Sequence, residues 1–184
     1  MNKIKRNAKS IFVILIIIAA FALWFCCIKG KSAPELHGLY DVVRVVDGDT
    51  IIVDIDGAET RVRLIGVDTP ESVHPDDTLN SERSQVASDF TSALLTGKQV
   101  YLEYGEEKTD KYGRTLAYVF LSDKTMIEAE LLKNGMAEVM TIEPNSKYAS
   151  YFECIEDEAK RNRSGFWSEQ YSEIYNLSPK GKDE

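Results

Sequence analysis

Three short segments of this chain gather polar side chains that a purely structural account leaves over: Asp47-Gly48-Asp49-Thr50, Arg63-Leu64-Ile65-Gly66-Val67-Asp68-Thr69-Pro70-Glu71, and Lys111-Tyr112-Gly113-Arg114. Asp49, Asp68 and a backbone carbonyl such as that of Thr69 would make an all-oxygen donor set, which suits calcium better than zinc. Arg63 and Arg114 would clamp a phosphate, because a planar fork matches two phosphoryl oxygens where an ammonium does not. Glu71 would orient or deprotonate an attacking water. These are the parts needed to break a phosphodiester, where negative charge builds on the phosphoryl oxygens and calls for a hard cation and guanidinium groups aimed at it. His37 and His74 are the only histidines, thin support for a zinc or histidine-based mechanism.

The elements that must hold these segments can be read from apolar spacing. Tyr40 to Val46, Thr50 to Ile55 and Thr60 to Val67 are expected as a three-stranded meander, with Asp56-Gly57 as a hairpin turn and no more. From Ser81 the spacing turns helical, with Val86, Phe90, Ala93 and Leu94 on one face and Gly97 as a stop. Gln99 to Tyr104 and Thr115 to Leu121 are two further strands. A second helix is expected from about Met126 to Asn134. A third starts near Ser146, aligns Tyr148, Tyr151, Phe152, Ile155 and Ala159, and ends at Gly165. Cys154 falls beside that stripe and is expected to be buried; Trp167 is expected in the core. Five strands with a helix after the third follow the order of an OB-fold barrel, an α+β arrangement of five strands and three helices.

At this point the motifs become specific. The run from Asp47 to Glu71 resembles, without a gap, the first signature of the thermonuclease family, whose best-known members are the staphylococcal nucleases. Asp110-Lys111-Tyr112-Gly113-Arg114-Thr115-Leu116-Ala117-Tyr118-Val119-Phe120 is similar to the second, and Trp167-Ser168-Glu169 resembles the family's C-terminal end. The likeness runs from about Tyr40 to Ser168. It implies that Asp49, Asp68 and Thr69 bind calcium, that Arg63 and Arg114 stabilise the phosphate, that Glu71 is the catalytic carboxylate, and that Lys111 and Tyr112 contact a second phosphate. It also implies hydrolysis of DNA and RNA to 3′-phosphorylated products. There is one departure: Met140 and Ile142 stand where well-known members carry two tyrosines before a Pro-Asn pair, here Pro144-Asn145. Stacking contributes much of single-strand affinity, so weaker nucleotide binding is expected.

The remainder of the sequence concerns location and partners. Residues 1–10 are basic and residues 11–28 apolar without interruption, the layout of a secretory signal or membrane anchor. Leu23-Trp24-Phe25-Cys26-Cys27 presents bulk where a signal peptidase needs small residues, which favours an uncleaved anchor and an extracytoplasmic domain. Residues 29–37 form a linker, 38–170 the fold and 171–184 a polar tail. With Cys154 alone in that fold, an internal disulfide framework is excluded. The formal net charge is −8, and all six basic residues before Pro34 lack acidic counterparts, so the rest of the chain sets 16 basic against 30 acidic residues. That balance opposes loose binding of polyanions and favours, as rivals, a catalytically silent OB-fold binding module or a calcium-binding surface protein. No protein partner is implied, and a monomer is expected.

Overall fold

Valine and isoleucine concentrate in the first two strands, where branched side chains suit a pleated surface. The computed structural model describes residues 33–70 and 77–169, without the side chains of 77–82. The chain divides into two units, Met1–Pro34 and Glu35–Glu184. The expected hydrophobic anchor lies outside the described residues, and among those residues no helix is long and apolar enough to cross a membrane.

In the second unit β1 (His37–Asp47), β2 (Thr50–Ile55) and β3 (Ala58–Leu64) form the meander, and β4 (Gly66–Asp68) follows at once. Then come α1 (Asp77–Leu95), β5 (Gln99–Thr109), β6 (Thr115–Leu121), α2 (Ile127–Lys133), β7 (Glu138–Met140) and α3 (Ala149–Arg161), with a 3₁₀ turn at Gly165–Trp167. β1, β2, β3, β6 and β5 close a barrel in that spatial order, while β4 and β7 form a separate two-stranded ribbon. Closure removes exposed sheet edges. Ile51, Val53, Val62, Leu64, Val100, Leu102 and Val119 fill the interior. β3 and β6 pair in parallel, with Arg63 opposite Leu116, which brings the segment before β6 to the same end of the barrel as Arg63.

Four expectations need correction. The strand expected from Thr60 to Val67 is two strands, broken where Gly66 takes φ 83° and where a Cβ would lie 2.6 Å from the Phe152 ring. Positive φ and contact with an aromatic ring both call for glycine. The first helix begins at Asp77, and its buried line is Ser84, Ala87, Thr91 and Leu95, with Ala93 exposed; small residues sit innermost because α1 packs closely on β1. Cys154 is exposed, since Phe152 and Ala159 define the face of α3 that is buried. Trp167 is half-buried under the Lys160 ammonium, 4.6 Å from its ring.

One buried group has a consequence for stability. Glu128, in the first turn of α2, is inaccessible to solvent, and its carboxyl accepts the Val119 N–H at 3.0 Å. Burial pushes it well above the ordinary value of 4.5, against the hydrogen bonds from its own N–H and that of Val119. Above pH 4.5 the folded chain therefore keeps a proton that the unfolded chain has lost. The stability this proton confers is complete below that pH and is lost as pH rises toward the raised value, at up to about 1.4 kcal/mol per unit. Glu128→Gln keeps an acceptor for Val119 and removes the titration. Relative to the unmodified chain it should gain stability between pH 4.5 and pH 8 in urea unfolding; a difference independent of pH would contradict this.

Candidate active site at one end of the barrel

The turn between β1 and β2 carries the first carboxylate. Asp49 is 3% exposed, and its Oδ1 accepts the Thr50 hydroxyl at 3.0 Å. Its Oδ2 accepts the Thr69 N–H at 3.1 Å and the Thr69 hydroxyl at 3.2 Å. Burial raises the Asp49 carboxyl to about 6; Arg63 and the Thr69 N–H oppose that rise, and the nearby Asp47 adds to it. The turn approaches Thr69 so closely that a Cβ on Gly48 would meet its hydroxyl at 2.7 Å. From the other side the buried Thr91 hydroxyl of α1 donates to the Gly48 carbonyl at 2.7 Å.

Arg63, at the end of β3 and 6% exposed, is the hub. Its Nη1 donates to the carbonyls of Leu64 at 2.7 Å and Val67 at 2.8 Å. Its Nη2 lies 2.8 Å from Asp68 Oδ1 and 3.0 Å from Asp49 Oδ2. Both carboxylates therefore converge on one nitrogen. The Asp68 side chain is 44% exposed, against 5% for that of Asp49. The bond to Asp68 is the one open to exchange with a substrate anion, because the other partners are buried.

The same end of the barrel opens into a cleft of about 580 Å³, lined by Arg63, Asp68, Lys111, Tyr112, Arg114, Met140, Ile142 and Asn145 among others. Lys111 and the 73%-exposed Tyr112 form its rim, with the Lys111 ammonium 5.0 Å from the Tyr112 ring. Arg114 is held by Asp110 at 2.6 Å. Burial acts to raise the Asp110 carboxyl, but hydrogen bonds from Arg114 and from the Tyr112 N–H outweigh it and hold the group below its ordinary value. Met140 enters the cleft because β7 pairs with β4, with Met140 opposite Gly66 and Glu138 opposite Asp68.

Of the sequence-derived residues, Arg63, Asp68, Lys111, Tyr112 and Arg114 line one cleft, and Asp49 and Thr69 lie directly behind Arg63. Glu71 lies outside the described residues. Sequence reasoning missed Thr91 and Asn145. Asn145 accepts the Glu107 N–H at 3.0 Å and donates to the Glu107 carbonyl at 2.9 Å, tying the loop after β7 to β5. Nothing local marks Thr91, whose partner is 43 residues away. Asn145 had a signal in its place after Pro144, where the chain must turn.

The donor set fits a hard divalent cation. Asp49 and Asp68 bring carboxylate oxygens within 3.0 Å of Arg63 Nη2, Thr69 is hydrogen-bonded to one of them, and a dication beside these oxygens would offset the cost of the buried Asp49 charge. Among the described residues no three His, Cys, Asp or Glu side chains form a metal cage. Calcium takes six to eight oxygen ligands, so backbone, water and substrate oxygens would have to complete this set.

Comparison with known proteins agrees with this architecture. The family described as staphylococcal nuclease homologue matches residues 61–169. A thermonuclease of Staphylococcus intermedius is 45% identical over 161 residues, covering 84% of this chain and 95% of the relative. A thermonuclease of Staphylococcus hyicus is 39% identical over 89% of this chain and 99% of its own length. The endonuclease YncB of Bacillus subtilis is 39% identical over 68% of this chain and 59% of its own. With the family match over residues 61–169 and near full-length likeness to the two thermonucleases, the chain belongs to the staphylococcal nuclease family.

Proposed function

We propose that the chain is a calcium-dependent nuclease that hydrolyses DNA and RNA to 3′-phosphorylated products outside the cytoplasm. Membership of the family and likeness to two thermonucleases make it a hydrolase of phosphodiester bonds. The observation that carries the finer reading is the convergence of Asp49 and Asp68 on Arg63, within the same cleft as Arg114.

Asp49, Asp68 and the Thr69 carbonyl would hold the calcium, which when bound supplies positive charge against the phosphoryl oxygens. Arg63, from the end of β3, and Arg114, from the turn just before β6, grip the phosphate. Glu71 orients the attacking water and takes its proton. Lys111 and Tyr112, on the rim, meet a neighbouring phosphate. The acidic surface lowers loose attraction to polyanions, so the polymer is held weakly and cleavage is sensitive to salt. Extracytoplasmic location rests on the basic-then-apolar layout of residues 1–28, and a mature N-terminus near Ala33 would replace the anchor by a cleaved signal. The chain should cut single-stranded DNA and RNA with calcium and fail with a chelator, leaving 3′-phosphate ends. Products ending in 3′-hydroxyls, or full activity with the metal removed, would overturn this reading.

The wall made by Met140 and Ile142 sets the grip on the base. Ile142 is 60% exposed, so a tyrosine has room there. Ile142→Tyr should tighten calcium-dependent binding of a nucleotide 3′,5′-bisphosphate about tenfold, the effect of about 1.4 kcal/mol of added stacking. Equal affinity in a direct titration would mean that this wall does not face the base.

A further inference from the structure

Arg114 is gripped from behind by a single carboxylate that also builds the turn beneath it. Asp110 Oδ2 accepts the Arg114 Nε–H at 2.6 Å, and Oδ1 accepts the backbone N–H groups of Tyr112 and Arg114, each at 2.9 Å. The backbone closes the same loop: the Asp110 N–H donates to the Arg114 carbonyl and the Gly113 N–H to the Asp110 carbonyl, each at 3.0 Å. The side chains are largely withdrawn from solvent, Asp110 at 16% exposed and Arg114 at 27%. Arg114 also lies with its guanidinium carbon 5.5 Å from the Tyr112 ring. The carboxylate engages the guanidinium through Nε alone, and the two Nη groups make no hydrogen bond to a described residue while Arg114 lines the cleft.

We infer that Asp110 is a positioning residue for phosphodiester cleavage, fixing the turn and the Arg114 guanidinium together so that the Nη edge is presented to the phosphate. A turn-forming aspartate needs only Oδ1. The second oxygen, on Nε, is what ties the loop to the orientation of the arginine. A guanidinium free to rotate about its own bonds would have to be ordered again in each transition state, and misplacement by about 1 Å costs on the order of 10²-fold. This inference rests on the reading of Arg114 as a phosphate clamp.

Asp110→Asn separates the two duties, since its amide oxygen still accepts the turn's N–H groups whereas its NH₂ cannot accept from Nε. In the full chain with calcium and single-stranded DNA, kcat should fall about 10- to 100-fold with KM unchanged and the urea midpoint retained. In an Arg114→Lys background the same substitution should change kcat little, because the group it positions is gone. If the asparagine variant loses its unfolding transition, Asp110→Ser keeps an oxygen for the turn but is too short to reach Nε, and should show the same loss of kcat. An unchanged kcat in a folded variant, or losses that multiply in the Arg114→Lys background, would overturn the inference while leaving the nuclease reading intact. Absence of cleavage by the unmodified chain would overturn the reading of the site, and this inference with it.

Discussion

Lysine in place of Arg63 should lower kcat about 10²- to 10³-fold, the usual cost of losing an oriented donor to developing charge. Arg63 commits its terminal nitrogens to the carbonyls of Leu64 and Val67 and to the carboxylates of Asp49 and Asp68. A lysine ammonium sits at one point and cannot span that set. It does keep a positive charge beside Asp49, which is why it is a better test than alanine. Arg63→Ala would leave a carboxylate buried without its cation, at a cost of about 3–5 kcal/mol, and would mix unfolding with lost chemistry. The lysine variant should retain a cooperative urea transition. Near-normal kcat in that variant would remove Arg63 from the reaction.

The second large effect is expected at Glu71. Glu71→Gln keeps shape and removes the base, so kcat should fall about 10²- to 10⁴-fold, while calcium affinity is unchanged because the proposed donors are Asp49, Asp68 and Thr69. Calorimetric titration of calcium beside single-turnover cleavage separates the two quantities. Calcium binding with full activity in the variant would assign the proton transfer elsewhere. Calcium binding with no cleavage by the unmodified chain would instead support a calcium-binding surface protein.

Much of the barrel was legible because strands such as β2 and β6 are short runs of β-branched, aromatic and other apolar residues bounded by turn residues. What escaped was non-local. Gly66 stood within an apolar run and could be read as an interruption, but only the Phe152 ring against it explains why the strand breaks there. β7 is three residues long and exists because it pairs with β4; no periodicity can mark so short an element. The first helix kept its phase hidden because its innermost residues, Ala87 and Thr91, are small or polar, and spacing of large apolar residues points to its flank.

The site followed the same division. Residue types gave Asp49, Asp68, Arg63 and Arg114 their roles one at a time, but Asp49 meets Arg63 through the antiparallel register of β2 and β3, and Arg114 joins them through the parallel register of β3 and β6, which unites segments far apart in the chain. The acidic balance of the chain from Pro34 onward looked hostile to a polyanion-binding protein. The cleft sets Arg63, Lys111 and Arg114 among Asp68, Glu107 and Asp110, a local balance less acidic than that of the chain, so overall charge governs the grip on the polymer and local charge the chemistry.

The most direct test of the central claim is cleavage of single-stranded DNA by the full chain with calcium, with magnesium and with chelator, alongside Arg63→Lys. The expected result is calcium-dependent cleavage that chelator abolishes and that the Arg63 variant slows about 10²- to 10³-fold. Properly folded protein that leaves DNA intact with calcium, or an Arg63 variant that cuts as fast as the unmodified chain, would contradict it.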